Sequence, residues 1–394
     1  MNILRQIGIV TLINLRNIPQ RLGTSLVVVI GIAGVVAVLV SVLAMAIGFN
    51  ETVKNAGRPD RVIILRGGAN SELASTLSRD AVLTIEDAPG ITRTTNGQPI
   101  ASAEAVVIVN LPQKNGGSEA NVTLRGVGPQ AWQLRPEIHL TEGRLFESGK
   151  REIIVGRAVQ AQFQGLEIGS RIAFRDSDWT VVGRFESRGD SHESELLADV
   201  ESVLGAYRRN LYQSTTALLE SVDGFDTFKS ALTTNPRLSV DVDRETDYYA
   251  SMSEHLNKAL TFVGYVVGGI MAVGALFGAL NAMYSAVSTR SREIATLRAI
   301  GFGPTAIVIS VFVEALLLAL TGGLIGAGIA WIFFNGNAAN MLGGNFTQVV
   351  FRLSVTPNLI GLGIVWAVTI GLVGGLFPAI RAARLPIAIA LRTV

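Results

Sequence analysis

The sequence predicts a polytopic α-helical membrane protein with four transmembrane helices and a large α/β extracytoplasmic domain of two subdomains. Charged residues make up only 16% of the 394 residues, and 49% are hydrophobic, whereas soluble domains carry about 25% charged residues. Four apolar runs are long enough to cross a bilayer, which takes roughly 20 residues. Between the first two runs lies a polar stretch with the alternation of short strands and helices that is typical of an α/β domain.

The apolar runs divide the chain into nine segments. The first run is longer than the apolar region of a signal peptide, which has about 7–15 residues, so we expect it to be retained as a helix. The amphipathic stretch before it predicts an interfacial helix or, alternatively, a simple leader into the first span. The predicted segments are a cytoplasmic interfacial helix (1–21), transmembrane helices (22–48, 259–284, 306–334 and 358–380), a large domain (49–258), a connector helix (285–305), an outer loop (335–357) and a tail (381–394).

The distribution of charge predicts the orientation of the chain in the membrane. Residues 49–258 carry 23 Lys and Arg against 29 Asp and Glu, whereas the rest of the chain carries 10 basic and 2 acidic residues. Short loops rich in Lys and Arg stay in the cytoplasm. We therefore expect both termini and residues 285–305 to be cytoplasmic, with residues 49–258 and 335–357 on the other side.

The large domain shows short apolar stretches separated by glycine and aspartate turns. Residues 186–195, ESRGDSHESE, are polar and acidic, which predicts a mobile surface loop. β-Branched and alternating stretches predict strands at 61–65, 105–110, 121–127, 152–155, 171–174 and 179–185, and helices at 71–78, 155–164 and 227–233.

Several functional classes are excluded or disfavoured by what the sequence lacks. It has no cysteine, so disulfides and thiolate chemistry are excluded. It contains no phosphate-binding G-x-x-x-x-G-K-[ST] motif. His139, His192 and His255 are far apart in the sequence and are expected at the surface or in turns. We therefore expect no catalytic residue, no metal site and no cofactor in this chain, and the short basic stretches are not those of a nucleic-acid-binding protein.

The connector between the second and third spans has the richest pattern. Residues 288–303 read STRSREIATLRAIGFG, which predicts a short amphipathic helix that ends at a glycine. The alternative is a solvated basic loop that only sets topology. An apolar ridge of Ile294, Leu297 and Ile300 and a defined end favour a helix that binds a partner, either lipid headgroups or another protein. The candidate residues for a protein contact are Arg290, Arg292, Glu293, Ile294, Leu297, Arg298 and Gly301.

Small and ionisable residues within the spans give two further predictions. Glu314 lies near the middle of the third run, and the four apolar runs contain no other charged residue. It is therefore a candidate functional residue or, alternatively, a packing residue. Glycines at a spacing of four predict close helix packing, within one chain or between two. These glycines are Gly264, Gly268, Gly274, Gly278, Gly322, Gly326, Gly371 and Gly375.

These patterns together resemble the MacB/FtsX-like permeases of ABC transporters, the group that includes the lipoprotein-releasing permeases. The segment RSREIATLRAIG (290–301) is similar to the cytoplasmic coupling segment of the family, and PAIRAARLPIAIALR (378–392) is similar to its tail. Glu314-Ala315 with Gly322-Gly323 is similar to the third-span pattern. In the large domain, DAPGI (87–91), GVGP (126–129), EGRLF (142–146) and VVGRF (181–185) resemble the MacB-type periplasmic core domain.

The resemblance implies a permease subunit in the inner membrane of a bacterium. Because no phosphate-binding loop is present, it implies two copies of a separate ATPase subunit that bind ATP and Mg. It also implies a permease dimer, expected to be a homodimer. For efflux, a periplasmic adaptor protein is a further expected partner. Mechanical coupling would move the outer domain to export or extract extracytoplasmic cargo.

Other functions remain open at the level of the sequence. Members similar to FtsX regulate a cell-wall hydrolase, but the roughly 210 residues of the large domain favour the MacB type. Lipoprotein release is a further option within the family. A membrane receptor that needs no ATPase is the alternative from a different class.

Overall fold

The structure, a computed structural model, describes residues 3–17, 22–114, 116, 118–343 and 347–384. The remainder of the predicted interfacial helix and residues 385–394 of the predicted tail lie outside the described residues. The chain divides into two compact units, which we describe separately. The helical unit comprises Met1–Ile47, Lys258–Asn337 and Leu353–Val394, and the α/β unit comprises Gly48–Asn257 and Ala338–Arg352.

The described α-helices are numbered in chain order. They are α1 (Ile3–Arg16), α2 (Leu22–Lys54), α3 (Arg79–Glu86), α4 (Ala131–Leu134), α5 (Arg157–Gln162), α6 (Val200–Ala206), α7 (Phe225–Thr233), α8 (Glu245–Thr289), α9 (Ser291–Ala299), α10 (Pro304–Phe334) and α11 (Pro357–Ala383).

The described strands are numbered in the same way. They are β1 (Arg61–Arg66), β2 (Ala101–Pro112), β3 (Glu119–Val127), β4 (His139–Gly143), β5 (Glu152–Gly156), β6 (Arg171–Phe174), β7 (Ser177–Glu186), β8 (Glu195–Asp199), β9 (Ser214–Leu218), β10 (Val240–Arg244), β11 (Ala338–Leu342) and β12 (Gln348–Arg352).

Four of the described helices, α2, α8, α10 and α11, are long and apolar enough to cross a membrane. Helix α8 begins at Glu245, well before the predicted start at residue 259. Hydropathy marks only the apolar part of a helix, so the polar first turns of α8 were not predicted. The most apolar stretch of α8 is 11% buried, against 50% in α2 and α10, so α8 lies at the edge of the described bundle.

Helices α2, α10 and α11 form the core of the helical unit. Ile32 and Leu39 of α2 are fully buried, as are Ala319 of α10 and Ala367 of α11. Small residues on α10 and α11 allow their backbones to approach closely, which provides van der Waals contact where lipid offers no hydrophobic driving force.

The sheet of the α/β unit has the strand order β10-β1-β9-β2-β3-β8-β5-β7-β4, with β6 paired to β7. Strand β2 is shared between two sets of partners. Residues 101–104 pair with β9, and residues 105–112 pair with β3. The predicted division into two subdomains stays a prediction, because the described strands form one connected path through β2.

One predicted helix of this unit is wrong, and another is shorter than predicted. Residues 71–78 contain only a short 3-10 turn (Glu72–Ala74), and α3 starts after Ser78, whose side chain accepts a hydrogen bond from the Ala81 amide at 3.1 Å. Serine is a strong N-cap residue, so it begins the helix instead of lying within it. Residues 155–156 belong to β5, so the second predicted helix shortens to α5.

The segment between α10 and α11 forms the hairpin β11–β12 rather than a simple loop. Phe351 packs edge-on against Phe49, with ring centroids 5.6 Å apart. The Val350 amide donates to Ser194 Oγ at 2.9 Å, and Thr123 and Thr347 hydroxyls lie 3.1 Å apart. The hairpin is therefore part of the α/β unit.

Candidate functional site

Helix α9 lies between two sharp breaks in the chain. Arg290 is its N-cap residue and separates it from α8. At its other end, Gly301 has φ +98°, its amide donates to the Arg298 carbonyl at 3.1 Å, and the Phe302 amide donates to the Leu297 carbonyl at 3.0 Å. This pair of bonds is a Schellman cap, which needs a residue in the left-handed conformation and so favours glycine. Gly301 therefore occupies the position at which the sequence predicts the helix end.

The charges on α9 agree with the direction of its dipole. Glu293 lies in the first turn and Arg298 in the last. A carboxylate near the N-terminus and a guanidinium near the C-terminus each stabilise a helix by about 0.3–1 kcal/mol. These two residues therefore stabilise α9 whether or not a partner is bound.

Arg290 anchors α9 to α10 through a buried ion pair. Its Nη1 donates to Glu314 Oε2 at 3.0 Å, and the two side chains are 5% and 6% exposed. Its Nε lies 3.5 Å from the Glu293 carboxylate. We call Arg290 and Glu314 the anchor pair. Glu314 therefore has a charged partner just outside the apolar runs, and the Arg290 side chain is buried against α10; its predicted contact with a partner stays a prediction.

The predicted apolar ridge of α9 does not lie on one surface. Ile294 is 3% exposed and belongs to the core of the helical unit, Leu297 is half-buried, and Ile300 is 70% exposed. Ile300 lies beyond the last turn of α9, where the cap turns the chain away from the helix axis. Arg292 and Glu293 are exposed, and Arg298 is half-buried. The outward surface of this segment is thus charged, with one apolar residue at its end.

Helix α1 packs against α10 beside α9. The Asn14 side-chain amide donates to Ser310 Oγ, and the Gly303 amide donates to Gln6 Oε1 at 3.0 Å. A cavity of about 320 Å³ lies between α1, α9 and α10, bordered by Val10, Ile294 and other residues. Helix α1 thus helps to hold the chain break before α10.

The candidate packing glycines are close to neighbouring helices of the same chain. A Cβ on Gly268 would lie 2.9 Å from Leu39, and one on Gly264 would lie 3.1 Å from Leu43, so both pack α8 on α2. Gly322 and Gly326 approach the backbone of α2 in the same way, and Gly371 and Gly375 approach α10. A Cβ on Gly274 or Gly278 would meet nothing within 4 Å.

The sequence analysis missed the buried charges of the α/β unit. Arg125, which is 2% exposed, donates to three carboxylates at 2.7–3.0 Å. A second arginine, Arg135, donates to one of the same carboxylates at 2.5 Å. Burial alone would raise the pKa of Glu104, but the two guanidiniums hold it below its usual value. We call this set the Arg125 network: Arg125, Arg135, Glu72, Glu104 and Glu195.

Another buried arginine, Arg61, shares the partner Glu245 with Arg135 of that network, whose Nη2 lies 3.8 Å from Glu245 Oε1. It is completely buried and binds Glu245 at the start of α8 with an Nε–Oε2 distance of 2.5 Å. It also forms an ion pair with Glu137, which follows α4. Glu137 is itself mostly buried, and although burial raises its pKa, Arg61 lowers it below the usual value.

The prediction that residues 186–195 form a mobile surface loop is wrong. Residues 191–194 form a 3-10 turn, and Asp190, His192 and Ser194 are each at most 2% exposed. His192, expected at the surface or in a turn, is buried, and its Nδ1 lies 3.2 Å from Glu195 Oε2. Polarity predicts exposure only when charges are unpaired, and here ion pairs and hydrogen bonds compensate for the burial.

The pKa values of two neighbouring groups in this turn, Asp190 and His192, are raised for different reasons. Burial raises the pKa of Asp190 to about 6, although His192 and a hydrogen bond from Ser187 oppose the change. Burial lowers the pKa of His192, but Glu195 and Asp190 outweigh that effect and raise it overall. Among the described residues, no group of His, Asp or Glu is arranged to hold a metal ion.

Two family models match the chain. The model of the MacB-like periplasmic core domain matches residues 22–235, and the model of the FtsX-like permease C-terminal region matches residues 265–387. The chain belongs to the MacB/FtsX-type permease family of ABC transporters. The resemblance noted from the sequence is thereby confirmed. As a family member, the chain is an inner-membrane protein with a periplasmic core domain.

Curated relatives agree with the family. The macrolide export ATP-binding/permease protein MacB of Hyphomonas neptunium is 25% identical over 390 residues, which cover 92% of this chain and 56% of that protein. MacB of Neisseria meningitidis is 24% identical over 397 residues, with the same shares covered. This permease therefore spans about half the length of the curated relatives it matches.

Two solved structures are similar to the periplasmic part. The extracellular domain of the ABC-type transporter YknZ from Gram-positive bacteria is 16% identical, with a TM-score of 0.36, and covers 46% of this chain and 99% of its own. The periplasmic region of MacB from Actinobacillus actinomycetemcomitans is 14% identical, with a TM-score of 0.37, and covers 49% and 92%.

Proposed function

We propose that this chain is the permease subunit of an ABC transporter and that α9 contacts an ATPase carried on another chain. In this proposal α9 lies in the cytoplasm, and two permease chains form a dimer with two ATPase chains that bind ATP and Mg. Hydrolysis of ATP moves α9, and the movement reaches the periplasmic domain to export or extract cargo.

The observation that carries the proposal is the way α9 is held. On its inner side, the anchor pair and Ile294 attach it to the helical unit. On its outer side it presents the charged residues Arg292 and Glu293. A helix that is bound firmly on one side and charged on the other transmits a displacement to α10 without bending at the joint.

The caps of α9 support the same mechanism. The Schellman bonds at Gly301 fix the direction of the chain between α9 and α10. A flexible connector would absorb a displacement through changes of backbone torsion, whereas a capped break passes it to the next helix. The partner surface would have to offer charges complementary to Arg292 and Glu293.

The first test is co-purification and ATP hydrolysis with the full-length chain. The probe is an ABC ATPase subunit from the same organism, supplied as a separate chain. Substitution Glu293→Arg reverses one exposed charge and is expected to abolish the stimulation of ATP hydrolysis. The matched control is Glu220→Arg, an exposed carboxylate of the α/β unit, which is expected to retain stimulation.

The same experiment separates the proposal from a receptor that needs no ATPase. Retention of the ATPase through detergent purification supports the transporter subunit. If Glu293→Arg retained full stimulation, or if no ATPase were held by the unmodified chain, the assignment of α9 would be wrong.

A further inference from the structure

Arg61 lies where two long helices meet the sheet of the α/β unit. Its guanidinium donates from Nη2 to the Ala56 carbonyl at 2.9 Å, just after the end of α2, and from Nε to Glu245 at 2.5 Å. It also donates from Nη1 to the Leu134 carbonyl at 3.0 Å and to Glu137. A single side chain thus joins both helices to β1 and α4, and we call this set of contacts the Arg61 junction.

The backbone at this point is as closely fitted as the side chains. A Cβ added to Gly57 would lie 2.8 Å from backbone atoms of Glu245 and Thr246, so the chain leaving α2 touches the chain entering α8. The Arg58 amide also donates to Glu245 Oε2 at 3.1 Å. Glu245 Oε2 therefore accepts hydrogen bonds from Arg58, between α2 and β1, and from Arg61, the first residue of β1.

The Arg125 network offers a contrast within the same unit. Its carboxylates Glu72, Glu104 and Glu195 lie on a 3-10 turn, β2 and β8, and the network touches α8 through Arg135, whose Nη2 lies 3.8 Å from Glu245 Oε1. That network holds strands and turns together. The Arg61 junction instead contacts the two helices whose apolar parts belong to the helical unit.

We infer that Arg61 is a positioning residue that passes displacement of α2 and α8 to the sheet of the periplasmic domain. The inference rests on the proposed function, in which ATP hydrolysis displaces the membrane helices. Charge-assisted hydrogen bonds have a defined direction, and four of them from one planar group fix the relative orientation of the elements they join. Movement of α8 against β1 would break the Arg61–Glu245 bond, which is the shorter of the two ion-pair contacts of the buried Glu245 carboxylate.

The test uses pairs of nitroxide labels on the full-length chain, which has no native cysteine to remove. One label is placed at His255→Cys on α8 and the other at Leu83→Cys on α3, both exposed positions. Without any ATPase present, the unmodified junction is expected to give a narrow distance distribution. The variant Arg61→Met is expected to broaden it.

A second, milder variant keeps the test decisive if Arg61→Met does not fold. Glu245→Gln has nearly the same shape and removes one charge from the junction. Its matched control is Glu195→Gln, which removes one charge from the Arg125 network. Only Glu245→Gln is expected to broaden the distribution. A narrow distribution in Glu245→Gln, or equal broadening in Glu195→Gln, overturns the inference.

Transmission is then measured in the complex with the same ATPase subunit that is used to test the proposed function. With vanadate-trapped nucleotide, labels at Leu83→Cys in the two permease copies are expected to shift in distance. Arg61→Met is expected to lose that shift while stimulated ATP hydrolysis is retained. If the shift persists in Arg61→Met, the inference fails. If the unmodified chain stimulates no ATPase, the proposed function fails, and the broadening measured without ATPase is the separate result that supports the junction.

Discussion

Two buried ionic sites hold this permease together, and they are built differently. In the α/β unit, Arg125 makes five hydrogen bonds to three carboxylates. In the described part of the helical unit, Arg290 makes one such bond, to Glu314, while its Nε lies 3.5 Å from the Glu293 carboxylate without forming a hydrogen bond. The first site is saturated and fixes one arrangement of strands. The second is held by fewer hydrogen bonds and lies next to the helix that we propose to move.

Buried ion pairs of this kind can fix an arrangement of strands, as at Arg125, or join two helices with fewer bonds, as at Arg290. Removing one partner of a buried ion pair leaves an uncompensated charge, whereas exchanging both partners for apolar groups is often neutral. The predictions below test whether the two sites differ as their bonding indicates.

The largest effect is expected from Arg125→Met. The substitution leaves Glu72, Glu104 and Glu195 buried without their shared partner, and we expect a loss of about 3–5 kcal/mol in stability. Thermal unfolding of the full-length chain measures it. The exposed ion pair Arg79–Glu201 provides the control, since Arg79→Met is expected to change little. A similar small loss for both variants would contradict the importance of the network.

A smaller effect is expected at the anchor pair. Arg290→Met removes the guanidinium that pairs with the buried Glu314 carboxylate, and we expect a loss of about 3 kcal/mol in stability. The double variant Arg290→Met with Glu314→Leu removes both charges and is expected to recover most of that loss. Thermal unfolding in detergent measures stability, and stimulated ATP hydrolysis is measured alongside. If the double variant recovered both stability and ATPase stimulation, the anchor pair would have no part in coupling.

The turn around Asp190 gives the α/β unit a pH dependence of a defined sign. Burial raises the pKa of Asp190 from an ordinary value of 3.8 to about 6. Its contribution to stability is therefore complete below pH 3.8 and is lost as the pH rises through 6. Between those limits the loss amounts to roughly 3 kcal/mol. Asp190→Asn is expected to remove this slope.

The measurement is hydrogen exchange of the periplasmic domain across a pH series, corrected for intrinsic exchange rates. Glu104, Glu137 and Glu195 have lowered pKa values, so their contributions are lost only as the pH falls below about 4.5, with the opposite slope. An unchanged slope between pH 4.5 and 6 in Asp190→Asn would assign the dependence to another group.

The smallest effect is expected at the cap of α9. Gly301→Ala forces a Cβ into the left-handed conformation, and we expect a cost of about 1 kcal/mol in local stability. Hydrogen exchange of the 291–302 amides measures it. Gly328→Ala in α10 has open space around it and is the control, with no loss expected. Equal exchange rates in Gly301→Ala and the parent chain would mean that the cap does not hold the joint.

Local patterns in the sequence were enough to predict the spans and the end of α9. Hydropathy locates apolar helices because each needs a sufficient length of apolar residues, and Gly301 fixes the end of α9 through its own backbone conformation. The buried sites depend instead on partners that are distant along the chain. Arg61 and Glu245 are separated by 184 residues, and no local pattern pairs them.

The same limit explains why the burial of Arg290 and of residues 186–195 was not predicted. A charged residue is predicted to be exposed to solvent when its ion-pair partner is not known. The partner of Arg290 lies 24 residues away in α10. In the 186–195 turn, the nearby His192 and Glu195 do pair within the segment, but Arg125 comes from a strand 70 residues earlier. Strand order across β2 is likewise a property of the whole fold.

The central claim is that α9 is a cytoplasmic element covered by an ATPase, and one measurement tests it most directly. Ile300→Cys introduces a single thiol at an exposed position into a chain without cysteine. A membrane-impermeant maleimide is applied to right-side-out and inside-out vesicles, with and without the ATPase. We predict labelling only in inside-out vesicles and protection when the ATPase is bound. Labelling in right-side-out vesicles, or no protection by the ATPase, would contradict the account.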